Sequence, residues 1–352
     1  MDQSLRHNVF AAGFRLMASM RAERWLAPVA RGAGAILMFH HVRPARPRAF
    51  APNRLLEITP AFLDHTLHVV RAMGFDLISL DEVPGRLRRP PGQKPFAVLT
   101  FDDGYRGNVE YALPILKRYG APWTLFVAAD YAAGRGRLWW LELEEAVARL
   151  DRVAFPTDCE IFELPCRNPQ EKQTAFETLY WHLRTGPEER LRSAISALAR
   201  QASVDAGSLV RSLCLSWDDL RTLAREPSVT IGAHTLSHPM LAKHDRETAW
   251  REITASRDVI TGHLGFVPRH LAYPVGDPTS AGLREFQLAA DAGFDTAVTT
   301  RPGHVFPEHA EHLHALPRVS VNGLFQTEAA LKGILSGVLF LAWNRGRRLN
   351  VG

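Results

Sequence analysis

Cysteine is scarce in this chain: three in 352 residues (Cys159, Cys166 and Cys214), none arranged as a C-x-x-C pair. Three thiols cannot complete a disulfide framework, and their spacing offers no structural cysteine-zinc site, so a reducing compartment fits best. Long hydrophobic runs are missing too. The apolar stretch GILSGVLFLAW at 333–343 is about half the length of a bilayer span. No dense basic block is interleaved with aromatic residues in the body of the chain, which argues against a nucleic-acid partner. There are no internal repeats and no low-complexity tracts.

What is present points to a globular protein. With 46% hydrophobic and 22% charged residues, the chain is neither disordered nor collagen-like and can bury a sizeable core. The length allows two or three average domains, or one α/β barrel with insertions. A net charge of +5 and a pI near 9.3, both arising from arginine, permit attraction to acidic surfaces such as phospholipid or anionic glycan.

The two ends differ from the middle. Residues 4–27 carry a broken apolar pattern, interrupted by Arg15, Arg21 and Arg24, with Phe10, Phe14 and Met17 on one helical face. This suits an amphipathic helix packed on the body, with a membrane-surface anchor and a cleaved targeting segment as the alternatives. Near the other end, Arg345, Arg347 and Arg348 follow the apolar stretch, as in a packed terminal helix with a basic tail; interfacial attachment is the sharper alternative. With no clear signal peptide or transmembrane helix, the expected location is cytoplasmic or peripheral at the inner membrane.

Between the ends, short β-rich runs alternate with helical patterns. Strands are predicted at 35–42, 76–80, 95–104, 123–128, 228–234, 269–274, 294–300 and 315–321. Helices are predicted at 60–75 (Thr59 as cap, Pro60 in the first turn), 108–118, 246–264 and 281–293. Residues 130–215 read as a helical insertion. Alternation of this kind implies parallel strands with helical crossovers, and seven or eight strands favour a distorted (β/α) barrel over an open sheet. In such a barrel, chemistry sits at the carboxyl ends of the strands.

Four strand ends carry unusual polar groups. Asp102-Asp103-Gly104-Tyr105 follows AVLTF; two adjacent carboxylates repel unless a cation or a shared proton relieves them, and D-D-G is otherwise a common capping turn. His234 and His238 follow VTIGA four residues apart. On a helical turn they would share a face and could reach one metal ion; otherwise they are packed or capping histidines. One aspartate and two histidines make a three-ligand site with positions open for water and substrate, as in a catalytic metal centre, and leave the second aspartate free as a base. Tyr273-Pro274-Val275-Gly276-Asp277 is the third strand end. Phe39-His40-His41 is the fourth, where period-two alternation lets only one of the histidines face the barrel mouth.

Taken in order, TFDDGY (100–105), GAHTLSHP (232–239) and LAYPVGD (271–277) resemble the polysaccharide deacetylase family with the NodB homology domain, carbohydrate esterase family 4. The likeness spans 33–322, with 130–215 outside the usual core, and leaves 1–32 and 323–352 as flanking helical segments. It implies a distorted (β/α) barrel and metal-dependent removal of N-acetyl groups from amino sugars of a polysaccharide or oligosaccharide. Carried over by position, Asp102 is the catalytic base, and Asp103, His234 and His238 hold the metal. The N–H of Tyr105 is an oxyanion donor, and Tyr273 and Pro274 line the groove wall. One divalent metal is implied, zinc first, with iron, nickel or cobalt compatible with the same ligands.

Two departures stand out. The family's third motif usually carries an arginine that braces the base; here Ala272 occupies that place, and Arg318 or Arg269 are candidates to supply the charge. The usual late leucine-x-histidine motif, source of the general acid, is also missing, since the chain reads HLHALPR there. In relatives of the biofilm-glycan deacetylase type the acid comes from an early F-H-x-V strand, here Phe39-His40-His41-Val42. His40 is therefore the expected acid, with His314 and then His41 behind it. Trp139, Trp140 and Trp181 in the insertion are either sugar-stacking platforms or core. Two other functions remain open at this point: a catalytically silent glycan-binding protein, and an esterase or amidohydrolase for another acyl group.

Overall fold

The computed structural model describes residues 27, 29–90, 92–156 and 161–351. The helix expected over 4–27 and Cys159 lie outside the described residues, Ala27 excepted. Twelve strands follow in chain order: β1 (Gly34–Phe39), β2 (His41–Val42), β3 (Glu57–Ile58), β4 (Asp76–Leu77), β5 (Phe96–Phe101), β6 (Trp123–Val127), β7 (Arg152–Pro156), β8 (Ile161–Pro165), β9 (Val229–Ala233), β10 (His270–Ala272), β11 (Thr296–Pro302) and β12 (Leu316–Ser320). Parallel pairing runs β1-β12-β11-β10-β9-β6-β5, and β5 pairs back onto β1, closing a seven-stranded barrel. The eighth strand of this sheet, β4, pairs only with Phe96 and Ala97 of β5, while β6 takes Leu99 to Phe101 higher up the same strand.

Period-two alternation divides the strands between two cores. Ala35, Leu37, Phe39, Ala97, Leu99 and Phe101 face the surrounding helices. Ile36, Val98, Phe126, Ala272, Val298 and Leu316 fill the barrel interior. The outer helices form where capping and apolar spacing agree. Pro60–Ala72 starts at Thr59, whose hydroxyl accepts from the Phe62 amide, and buries Phe62, Leu63, Thr66, Leu67, Val69 and Val70. Arg246–Leu264 starts at Asp245, which accepts from the Thr248 amide.

Between β6 and β9 the chain leaves the barrel. The helices Trp139–Arg149, Pro169–Thr185 and Glu188–Gln201 pack around Leu143, Val147, Phe176, Leu179, Leu183, Leu191 and Ile195. This segment is not wholly helical as expected: β7 and β8 form an antiparallel hairpin. At five residues each, RVAFP and IFELP have no clean period-two alternation and do not stand out from the flanking helical patterns.

The expected C-terminal helix is instead two short ones, Glu328–Leu335 and Val338–Trp343. The break falls at Gly337, whose φ is +76° and where a Cβ would meet the Ala30 carbonyl oxygen at 2.2 Å. Among the described residues no helix is long and apolar enough to cross a membrane. Cys166 and Cys214 are buried and unpaired with each other.

Candidate active site

The inward positions of four strands converge at the barrel mouth. On β1 the series Ile36, Met38 continues to His40; on β5, Val98 and Thr100 continue to Asp102; β9 ends just before His234; and Leu316 of β12 is followed two residues on by Arg318. His40, Asp102, Asp103, His234 and His238 all line one cavity of 430 Å³.

Past β5 the chain turns through two consecutive left-handed residues, Asp103 at φ +67° and Gly104 at φ +64°. Glycine bears this freely, whereas aspartate there costs about 1–2 kcal/mol. The turn drives the Asp103 carboxylate back over the mouth while Asp102 continues the inward row. The loop holding His234 and His238 is not the helical turn that the four-residue spacing suggests: Thr235 and His238 both sit at φ +62°. The loop is held by Glu252, on helix Arg246–Leu264. Its carboxylate accepts from the amides of Leu236 (3.1 Å) and Ser237 (2.8 Å) and from the Ser237 hydroxyl (2.8 Å). From the insertion, Arg192 donates to the His238 carbonyl at 3.2 Å.

Oδ1 of Asp103 lies 3.5 Å from Nε2 of His234 and 3.3 Å from Nε2 of His238. One ligand atom from each residue falls within 4.8 Å of the others, and all three side chains are buried. Nδ1–H of His234 donates to the Ala272 carbonyl at 2.7 Å, which fixes the tautomer and leaves Nε2 with a free lone pair. Asp103 Oδ1 has no hydrogen-bond partner among the described residues. A buried, unsatisfied carboxylate oxygen facing two imidazole nitrogens is a donor set suited to a divalent cation. Burial pushes the Asp103 carboxyl up, but the two histidines outweigh it and hold its pKa well below the usual range.

Asp102 is paired to Arg318 through two contacts of 2.7 Å. The guanidinium also donates to the Thr299 carbonyl (2.8 Å) and Thr100 Oγ1 (3.2 Å) and lies over the Phe126 ring. Burial raises the Asp102 pKa, yet the Arg318 charge and hydrogen bonds bring it below the normal carboxylate value. Arg269 sits elsewhere, exposed, bridging Asp81 and Asp295.

The histidines separate by geometry. His40 Nε2 is 4.0 Å from Asp102 Oδ2; burial lowers its pKa, opposed by the charges of Asp102 and Asp103. His41 points away from the cavity and stacks on the Tyr105 ring at 4.6 Å. Burial, then Arg43 and Arg46, push its pKa down to about 3. His314 also lies outside the cavity, with Nε2 bonded to the Phe294 carbonyl at 2.7 Å. The Tyr105 amide has no acceptor among the described residues. Tyr273 is fully buried, its hydroxyl donating to the His314 carbonyl at 2.8 Å; at the third motif the cavity wall is made by Val275 and Asp277.

The insertion supplies the opposite wall. Trp139, Trp140 and Trp181 all line the cavity; Trp139 and Trp140 are buried, Trp181 is 55% exposed, and the Trp140 ring lies 5.2 Å from that of His238. Arg184 of the insertion pairs with Asp277, tying this wall to the barrel. Glu252, Arg192 and Arg184 carry no motif of their own and were not singled out in the sequence.

A family model described as polysaccharide deacetylase matches residues 89–157 and 171–297, more than half of the chain. No curated protein matches. Among solved structures, the Streptococcus pyogenes deacetylase PplD in complex with acetate is 20% identical, with a TM-score of 0.53 over 82% of this chain and 92% of that one. IcaB from Ammonifex degensii is 16% identical, with a TM-score of 0.51 over 87% and 97%. The de-N-acetylase from Aggregatibacter actinomycetemcomitans is 15% identical, with a TM-score of 0.52 over 85% and 98%. At these identities the likeness speaks for the fold.

Proposed function

The chain belongs to the polysaccharide deacetylase family, and from that premise we propose that it hydrolyses the N-acetyl amides of glycan amino sugars, releasing acetate and a free amine, with a divalent metal held by Asp103, His234 and His238. The observation that carries this reading is the buried cluster of those three side chains beside an Asp102 kept ionised by Arg318.

A metal so held supplies Lewis acidity to the acetyl carbonyl and lowers the pKa of water. The other duties fall to the protein. Asp102 accepts the proton of the attacking water, and Arg318 keeps it anionic and fixes the direction of its lone pairs. The Tyr105 N–H is free to donate to the oxyanion, a contribution of about 3–4 kcal/mol for one well-placed donor. His40 lines the cavity 4.0 Å from Asp102, whose charge, with that of Asp103, opposes the burial that lowers the His40 pKa; in its protonated form it gives a proton to the departing nitrogen, which leaves poorly as an anion. Arg318 thus takes the part of the arginine that Ala272 replaces.

The test is acetate release from N-acetylglucosamine oligomers by the zinc-supplied protein, beside O-acetylated sugars and non-sugar amides. Turnover of the N-acetyl sugars above both controls is expected. Glycan binding without acetate would leave a silent binding protein instead, and a preference for either control would reassign the acyl group.

A further inference from the structure

One helix of the insertion supplies a long wall of the cavity. On Pro169–Thr185, the residues Gln173, Phe176, Glu177, Tyr180, Trp181 and Arg184 keep the three- and four-residue spacing of a single helical face, and all of them line the cavity. At 1.5 Å per residue this wall runs about 16 Å, longer than one sugar ring is wide. The cavity, at 430 Å³, is in the range that takes a drug-sized ligand, which is larger than one amino sugar. Most aromatic rings of the wall are spent on packing. Phe176, Trp139 and Trp140 are buried, and half-buried Tyr180 lies 5.7 Å from the Phe176 ring and 5.4 Å from that of Trp139. Trp181 differs in being 55% exposed. Its ring is nevertheless held. Tyr180 packs edge-on at 5.2 Å, and the Arg184 guanidinium, paired with Asp277 of the barrel, lies 5.4 Å from its centre. An indole left in water yet braced by its neighbours is preorganised for a flat partner.

The C–H face of a pyranose is such a partner. It covers apolar aromatic surface while the hydroxyls at its rim still need acceptors. One helical turn before Trp181, Glu177 offers an acceptor on the same face. Its carboxylate accepts from Gln173 at 2.6 Å and has no cationic partner among the described residues. The carboxylates of the floor are engaged otherwise, Asp102 with Arg318 and Asp103 with the two histidines. We infer that Trp181 and Glu177 form a second sugar subsite: the ring next to the one being deacetylated lies flat on Trp181 and donates a hydroxyl to Glu177. The inference rests on the deacetylase reading and narrows its substrate from single amino sugars to a glycan chain, whose length the insertion reads.

The experiment compares kcat/KM for acetate release from the methyl β-glycoside of N-acetylglucosamine and from its water-soluble pentamer, with the full-length protein supplied with zinc. The pentamer should exceed the methyl glycoside at least tenfold. In Trp181→Ala and in Glu177→Ala, each retaining its far-UV circular dichroism and its zinc content, the pentamer-to-glycoside ratio should fall at least threefold, mainly through a higher KM for the pentamer. Trp181→Phe, which keeps a flat ring, should restore most of the ratio. A pentamer turned over no faster than the glycoside, an unchanged ratio in either alanine variant, or a phenylalanine variant as poor as the alanine one would overturn the inference while leaving the deacetylase reading standing. Acetate from neither substrate would remove both.

Discussion

Arg318 and Asp102, 216 residues apart, meet in a fully buried bidentate pair with both contacts at 2.7 Å. Two parallel N–H···O bonds fix orientation as well as charge, a geometry that a lysine ammonium cannot reproduce. β12 and β5 are each hydrogen-bonded to β1, so the arginine spans that intervening strand to reach the aspartate.

Arg318→Gln leaves that carboxylate buried without its cation. The Arg318 guanidinium now lowers the Asp102 pKa, so its removal raises it, and a base that works as the anion then needs higher pH. The acid limb of the kcat/KM profile should move upward by one unit or more, with Arg318→Lys in between. At neutral pH kcat/KM should fall about 100-fold, in the range of general-base contributions. An acid limb unmoved by Arg318→Gln would mean that it belongs to another group.

The two adjacent aspartates should respond differently. Asp103→Ala removes a candidate ligand and should lose bound metal and activity together. Asp102→Asn should keep the metal, as measured by elemental analysis, and lose turnover by about 100-fold or more. Chelation followed by zinc should restore the wild type and leave Asp102→Asn inactive. An Asp102→Asn protein with wild-type turnover would remove it as the base.

His40 and His41 show how far the sequence alone reaches. Period-two alternation along β1 already required that only one of them face the mouth, and the structure turns His40 inward and His41 onto Tyr105. Strand ends and both aspartates were readable because each is local to one apolar run, and the barrel because such runs alternate with helical patterns along the chain. His234 and His238 were readable as a pair but not in their backbone, because left-handed Thr235 and His238 have no glycine to signal them. Glu252, Arg192 and Arg184 depend on tertiary contacts between segments far apart in the chain, which no local pattern announces.

For the acid, His40→Ala should depress kcat on N-acetyl sugars by about 100-fold or more. The defect should shrink on an activated anilide, whose leaving group needs less protonation. His41→Ala should leave the pH profile unmoved, since His41 is neutral throughout the working range. His314→Ala should also leave that profile in place, its ring being engaged with the Phe294 carbonyl outside the cavity. A loss confined to His314→Ala would transfer the role.

Glu252 offers a test of the proposed metal loop that does not touch a candidate ligand. Its carboxylate takes three hydrogen bonds from Leu236 and Ser237, the residues between the two histidines. In Glu252→Ala the Ser237 amide and hydroxyl lose their acceptor and the Leu236 amide keeps only the backbone carbonyl of residue 252, at about 1–3 kcal/mol. The loop then holds two left-handed residues with less to enforce them, and the His234–His238 spacing loosens. Metal affinity, read by competition with a chromogenic chelator, should fall 10- to 100-fold, as when second partners of metal ligands are removed. Saturating zinc should rescue kcat, because neither Asp102 nor His40 depends on this contact. If affinity holds while kcat falls at saturation, Glu252 acts on the chemistry by some other route than by shaping the histidine pair.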